Sequence, residues 1–111
     1  MSKHERLIEV GYADFDNIVI NGSGYVFVDF FAPWCGPCMY MLPVIVEIAN
    51  EMQDLKFIKV NVDKTPMIAQ KFGISGIPRF MIFKDGQVIA DRTGGAPKND
   101  IIDWIQSVVV Q

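Results

Sequence analysis

Residues 25–38 read YVFVDFFAPWCGPC, an apolar run that ends in a pair of cysteines. Its first seven residues are mostly aromatic or β-branched, which is typical of a β-strand whose two faces are both covered. A helix is expected to follow from about Cys35 to Met52, with a kink at Pro43, because proline removes one backbone donor. The run therefore predicts a buried strand that leads through a Cys-X-X-Cys pair into a helix.

Hydrophobic alternation and turn residues divide the rest of the chain into short elements. Four more strands are expected, over residues 7–10, 56–62, 79–84 and 87–92. Three more helices are expected, over residues 14–21, 66–72 and 98–110. Thr65 is the expected cap of the helix that starts at Pro66, and Asp85-Gly86 predicts a tight hairpin turn.

The order of these elements predicts the architecture. Strand–helix–strand crossovers favour parallel pairing, whereas the final hairpin is antiparallel. We therefore expect a single α/β domain over residues 1–111, with one mixed central sheet of about five strands flanked by four helices on both faces.

The composition excludes several classes of protein. The chain has 111 residues, of which 50% are hydrophobic and 21% charged, the balance of a folded globular domain. The net charge is −3 and Lys and Arg form no cluster, so we expect no nucleic-acid partner and no anionic membrane surface. The longest charge-free run, residues 30–46, has 17 residues and three prolines, too few for a membrane span of about 20 apolar residues.

Cys35 and Cys38 are the strongest functional signal. The N-terminus of a helix favours an anion, so the position of Cys35 stabilises a thiolate, and Cys38 is placed to resolve a mixed disulfide. The pair predicts thiol–disulfide exchange. One alternative is a structural disulfide, which would close a very small loop. Another is a zinc or iron–sulfur site shared between two chains, since His4 is the only histidine; we expect no metal.

The location expected from the sequence agrees with redox chemistry. The first residues are polar and show no apolar signal segment, so we expect a reducing, cytoplasmic compartment. In such a compartment cysteines are more often catalytic than structural.

Asp29 and Pro78 are the next candidates. Asp29 is the only charged residue between Asn17 and Val46, so burial is expected to raise its pKa and make it a general base for the Cys38 proton. The alternative is a structural carboxylate or one that faces solvent. A cis bond before Pro78 would present the Ile77 backbone beside the cysteines, but an ordinary trans proline fits the local sequence equally well.

Several apolar residues beside the cysteines allow two interpretations. Met39, Tyr40 and Met41 either line a docking surface or fill the core, and core is the more usual role of methionine at helical spacing. Trp34 either forms part of a substrate platform or covers the edge of the core. Trp104 is assigned to the buried face of the last helix.

Three separated motifs resemble the thioredoxin family over the whole chain. Residues 28–38, VDFFAPWCGPC, are similar to the family's active-site segment, and residues 76–78, GIP, to its cis-proline loop. Residues 84–86, KDG, are similar to its hairpin turn. The resemblance implies the thioredoxin fold.

The resemblance also implies a role for each matching residue. Cys35 would attack the substrate disulfide and Cys38 would resolve it, the two forming the redox-active disulfide. Asp29 would be the buried acid, Lys59 the lysine that tunes its charge, and Pro78 a cis-proline. The remaining matches imply an apolar docking surface for partner proteins, formed by Trp34, Gly36, Pro37, Ile77 and Gly94.

The implied activity is that of a general protein-disulfide reductase. It would hold no bound cofactor, work as a monomer on disulfide-containing client proteins, and receive electrons from NADPH through a flavin-containing thioredoxin reductase. An oxidase or isomerase, and a thioredoxin-like binding subunit, are the alternatives. Three positions depart from the family: Phe31 replaces a common tryptophan, Met39 a common basic residue, and Arg79 a small hydroxyl residue, with Arg79 expected to restore part of the thiolate stabilisation lost at Met39.

Overall fold

The computed structural model describes residues 6–109. Within this range the strands are β1 Leu7–Glu9, β2 Tyr25–Phe31, β3 Lys56–Asn61, β4 Arg79–Lys84 and β5 Gln87–Thr93. The helices are α1 Tyr12–Phe15, which continues as a π-helical turn over Asp16–Ile20, then α2 Gly36–Glu51, α3 Pro66–Lys71 and α4 Lys98–Val108. Most bounds agree with those predicted from the sequence to within two residues.

The five strands form one mixed sheet in the order β1-β3-β2-β4-β5. β1, β3 and β2 are parallel, whereas β4 and β5 join the sheet antiparallel to their neighbours. The carboxyl ends of β2, β3 and β5 and the start of β4 therefore meet at one edge of the sheet. The predicted mixed architecture is confirmed, and this edge is where the cysteines lie.

Two apolar layers cover the sheet, one on each face. On one face, α2 and α4 pack on Phe27, Phe57 and Phe80, and the helices contribute the buried residues Met41, Ile45, Ile48, Ile101 and Ile105. On the other face, Phe15 and Val19 and, from α3, Ile68 pack on residues such as Val28 and Phe30. Because β2 is apolar on both faces, it is the strand that can occupy the centre of the sheet.

The first helix differs from the prediction. It begins at Tyr12 rather than at Asp14, and its second half is π-helical, with the Asn21 amide donating to the Asp16 carbonyl at 2.8 Å. A side chain at Gly22 would collide with the backbone of Ile18, so only glycine lets the chain leave the helix here. The sequence pattern contained the turn but not the wider helical geometry.

The start of α3 also departs from the prediction. Thr65 occupies the cap position, but its hydroxyl donates to the Asn61 carbonyl at 2.7 Å and makes no capping hydrogen bond. Instead, the Tyr12 hydroxyl accepts a hydrogen bond from the Met67 amide at 3.0 Å. The helix cap is therefore supplied by Tyr12, which is distant in the sequence, and not by Thr65 as the local sequence predicted.

The last helix is seen to end at Val108, two residues before the predicted end, while Val110, like His4, lies outside the described residues. Trp104 is only half-buried on the α4 face, packed against the core and edge-on to Phe27. Helix α2 runs unbroken through Pro43, and the predicted kink there stays a prediction.

Candidate active site

Cys35 and Cys38 form a disulfide at the start of α2, with their Cα atoms 5.2 Å apart. Cys35 is the cap residue of this helix, and the Cys38 amide donates to the Cys35 Sγ at 3.2 Å. Pro37 lies in the first helical turn, where a missing N–H leaves no bond unmade. Backbone amide and helix dipole therefore both point toward the Cys35 sulfur, the arrangement that stabilises a thiolate.

The two sulfurs differ in their access to solvent. Cys35 is 7% exposed and Cys38 is completely buried. Apolar residues surround the pair: Phe31 and Ala32 from the end of β2, Val62 from the end of β3, and Ile77. An incoming disulfide can therefore reach Cys35 but not Cys38.

The loop before β4 places backbone next to the cysteines. The Ile77–Pro78 peptide bond is cis, as the resemblance implied, and Pro78 is buried. The Ile77 carbonyl oxygen lies 3.9 Å from the Cys35 Sγ. The Gly94 amide donates to the Pro78 carbonyl at 2.8 Å, with Gly94 at a φ of 94° that favours glycine. Three of the predicted site residues thus lie together beside Cys35.

Asp29 is buried in the middle of β2, with 1% of its surface exposed. Neither carboxyl oxygen has a hydrogen-bond partner among the described residues. Burial raises the pKa of Asp29 to about 7, against a smaller opposing effect from Lys59. Asp29 and Phe31 lie on the same face of β2, and Phe31 packs against the cysteines, so the carboxyl group lies beneath the first turns of α2. The alternative of a solvent-facing carboxylate is wrong.

Lys59 is the cross-strand neighbour of Asp29 in β3, as the register shows. Its ammonium lies 5.6 Å from the centroid of the Phe31 ring, which also packs against the cysteines. The positive charge of Lys59 lowers the pKa of Asp29 and offsets part of the effect of burial.

An apolar surface surrounds the exposed side of Cys35. Trp34 is 71% exposed, and its indole nitrogen donates to Asp63 at 2.8 Å, which fixes the ring beside the cysteines. Gly36 and Pro37 are also exposed. Of the three residues after Cys38, Met39 and Tyr40 are exposed whereas Met41 is buried in the core. Met41 therefore fills the core, as one interpretation held, whereas a docking role for Met39 and Tyr40 stays a prediction.

Arg79 does not carry an unbalanced charge. Its guanidinium pairs with the Asp91 carboxylate through two hydrogen bonds, and the side-chain hydrogen bond lowers the pKa of Asp91. A fixed anion thus balances the cation that was expected to compensate for Met39. The expected contribution of Arg79 to thiolate stability is correspondingly reduced.

Val62 and Asp63 are site residues that the sequence prediction missed. Both directly follow β3, which is parallel to β2, so the two strands deliver the residues after them to the same edge of the sheet. That topology was predicted, and it was the signal that would have found them. Over residues 6–109, no three Cys, His, Asp or Glu residues are grouped as a metal site would need, and no helix there is long and apolar enough to cross a membrane.

Known proteins are similar to this sequence over most of its length. A family model described as Thioredoxin matches residues 6–107. Thioredoxin from Rhodospirillum rubrum is 40% identical over 102 residues, covering 91% of this chain and 98% of its own. Thioredoxin 1 from Synechococcus elongatus is 47% identical over 94 residues, covering 84% and 88% of the two chains.

The fold, the cysteine pair and these similarities all point to the same protein family. The five-stranded mixed sheet with four helices is that expected for the thioredoxin fold, and the disulfide lies at the start of α2, just after its central strand. Disulfide-containing proteins are the clients of such a site. The chain belongs to the thioredoxin family of protein-disulfide oxidoreductases.

Proposed function

We propose that this protein is a general protein-disulfide reductase. The observation that carries the proposal is the asymmetry of the disulfide: Cys35 is 7% exposed and caps the helix N-terminus, whereas Cys38 is completely buried. This asymmetry assigns attack to Cys35 and resolution to Cys38.

The proposed reaction starts from the reduced protein. The Cys35 thiolate attacks one sulfur of the client disulfide, a bond forms between them, and the client's other sulfur leaves as a thiolate that takes up a proton. Cys38 then loses its proton and attacks the Cys35 Sγ, which releases the second client thiolate. The client gains two electrons, and the protein is left with the Cys35–Cys38 disulfide.

Asp29 is the proposed acceptor of the Cys38 proton. A carboxyl group with a pKa of about 7 can take up and return a proton near neutral pH, and it lies on the same face of β2 as Phe31, which packs against the cysteines. Lys59 is the proposed positioning residue that keeps this pKa near neutrality. Trp34, Gly36, Pro37, Ile77 and Gly94 are the proposed docking surface, and Pro78 holds the Ile77 backbone beside the sulfur.

The reductant has to be regenerated from outside the chain. We propose that electrons come from NADPH through a flavin-containing thioredoxin reductase, that the protein holds no cofactor of its own, and that it works as a monomer in the cytoplasm. A reducing compartment is where a dithiol of this kind is kept reduced.

The reduction potential of the Cys35–Cys38 pair tests the proposal. Equilibration against glutathione buffers, followed by thiol alkylation and mass spectrometry, measures it directly. We expect a potential below the cytosolic glutathione poise of about −220 to −260 mV. A potential above that range would mean that the pair oxidises or isomerises client disulfides.

A further inference from the structure

An apolar groove of about 580 Å³ opens beside the active-site loop. One wall comes from the first half of α2, through Tyr40, Met41 and Val44, and the other from residues 95–98 before and at the start of α4. The groove begins at Gly36 and Pro37, directly next to Cys35. Tyr40 is 76% exposed and leaves a large aromatic surface uncovered in this chain.

The groove leads toward a negatively charged patch. Tyr40, Val44, Glu47 and Glu51 follow at spacings of four, three and four residues, so they lie on one face of α2. The Lys98 ammonium, at the end of the groove, contacts Glu47 at 3.0 Å and Glu51 at 2.5 Å. Two carboxylates thus surround one ammonium, and their side chains are 64% and 52% exposed.

The dimensions match a short extended peptide. At a rise of about 1.5 Å per helical residue, Tyr40 lies about 6 Å and Glu47 about 16 Å along α2 from Gly36. An extended polypeptide advances about 3.3 Å per residue. A client segment that leaves Cys35 along the groove therefore passes Tyr40 after about two residues and Glu47 after about five.

We propose that this groove is a client-selecting subsite for segments with a bulky apolar residue about two positions, and a Lys or Arg about five positions, from the reacting cysteine. The proposal rests on the proposed function, since a client disulfide must already be held at Cys35. The apolar side chain leaves water against Tyr40 and Val44. The client cation meets the unbalanced negative charge of Glu47 and Glu51.

Synthetic peptides test the selection. Each carries one cysteine, disulfide-bonded to a short uncharged peptide, with Leu two positions away and Lys, Gln or Glu five positions away, on either the N- or the C-terminal side. The second-order rate constant of reduction by the pre-reduced protein is measured by quenching and chromatography. On one of the two sides we expect the Lys peptide to react about two to five times faster than the Glu peptide, because exposed ion pairs are weak. About 0.5 M salt should abolish the difference.

Variants with opposite effects make the assignment specific. In the double variant Glu47→Gln and Glu51→Gln, Lys98 is left unbalanced, so the Lys-to-Glu rate ratio should fall to one or below. In Lys98→Gln the patch becomes more negative and the ratio should rise. Glu9→Gln removes a carboxylate on β1, outside the groove, and should leave the ratio unchanged.

The outcomes separate the two proposals. If the peptides are reduced but Lys and Glu react equally on both sides, or if the preference survives loss of Glu47 and Glu51, the groove does not select basic segments. If Tyr40→Ala dissolves a dimer seen by sedimentation and leaves peptide selection intact, the groove is covered by a second copy. Failure to reduce any of the peptides would instead contradict the proposed reductase activity.

Discussion

At the scale of single residues, the surroundings of Cys35 and Asp29 change the proton affinity of ordinary side chains. Cys35 gains a backbone donor and a helix dipole from its position as the cap of α2. Asp29 loses water and every hydrogen-bond partner within residues 6–109, which makes protonation easier than in solution. The same carboxyl group at the surface would be ionised at every physiological pH.

The buried Asp29 makes the stability of the fold depend on pH. Its pKa is about 7 in the folded protein and near the ordinary 3.8 in the unfolded chain, so protonation stabilises the fold below pH 3.8. That contribution is lost as pH rises from 3.8 to 7. The difference between the two pKa values, at about 1.4 kcal/mol per unit, corresponds to about 4 kcal/mol of stability. Asp29→Asn removes the ionisation, so its free energy of unfolding relative to the native chain should rise by up to this amount between pH 4 and pH 8.

Urea unfolding of both chains across this pH range measures the difference. The same variant should reduce client disulfides more slowly near pH 7, since the proposed proton acceptor is gone. A pH-independent stability difference, or an unchanged rate, would show that Asp29 is a structural residue.

At the level of elements, α2 is held in its C-terminal half by residues from elsewhere in the chain. At its C-terminus, Arg6 donates to the Ala49 carbonyl at 2.6 Å and to the Leu55 carbonyl at 3.1 Å. Near α4, the contacts of Lys98 with Glu47 and Glu51 join the two helices. These contacts hold the helix whose first turn positions the cysteines.

Removal of the Arg6 side chain should destabilise the fold without changing the chemistry. Arg6→Ala leaves carbonyl groups at the end of α2 without a charged donor, which costs about 1–3 kcal/mol. Thermal and urea denaturation measure the loss, with Arg6→Lys as the control that keeps the charge but not the forked donor geometry. The free energy of unfolding of Arg6→Lys should lie between those of the native chain and Arg6→Ala. An Arg6→Ala protein as stable as the native one would contradict the capping role.

In the molecule as a whole, stability comes from the sheet and its two apolar layers. The disulfide joins residues only three positions apart and therefore constrains the unfolded chain little. The clusters on the two faces of β2 involve all four helices and include neither cysteine. The cysteines are thus available for chemistry.

Reduction should leave the fold intact. The entropic effect of so short a loop is about 2 kcal/mol, so dithiothreitol should lower the free energy of unfolding by no more than about this amount. Circular dichroism and urea unfolding at pH 5, where Asp29 is protonated in the folded state, measure the effect. Loss of cooperative unfolding on reduction would make the disulfide a structural bond.

Local sequence patterns predict the elements, their order and the main candidate site residues. Strand and helix signals are local, and the apolar run through Asp29 to Cys38 could only be a buried strand followed by a helix start. Motif similarity added the role of Lys59, which no local pattern supplies, and favoured the cis over the trans bond before Pro78.

Contacts between residues distant in the sequence became visible only in the folded chain. The hydrogen bond of Trp34 to Asp63, the pairing of Arg79 with Asp91, the capping of α3 by Tyr12 and the groove beneath Tyr40 all join positions far apart in the chain or in different elements. Such contacts depend on how the strands align and the helices pack, because side-chain donors and acceptors can form hydrogen bonds only with groups that the fold brings within reach. A local pattern can therefore place a residue on a helix or strand, but it cannot predict which residue of another element that residue contacts.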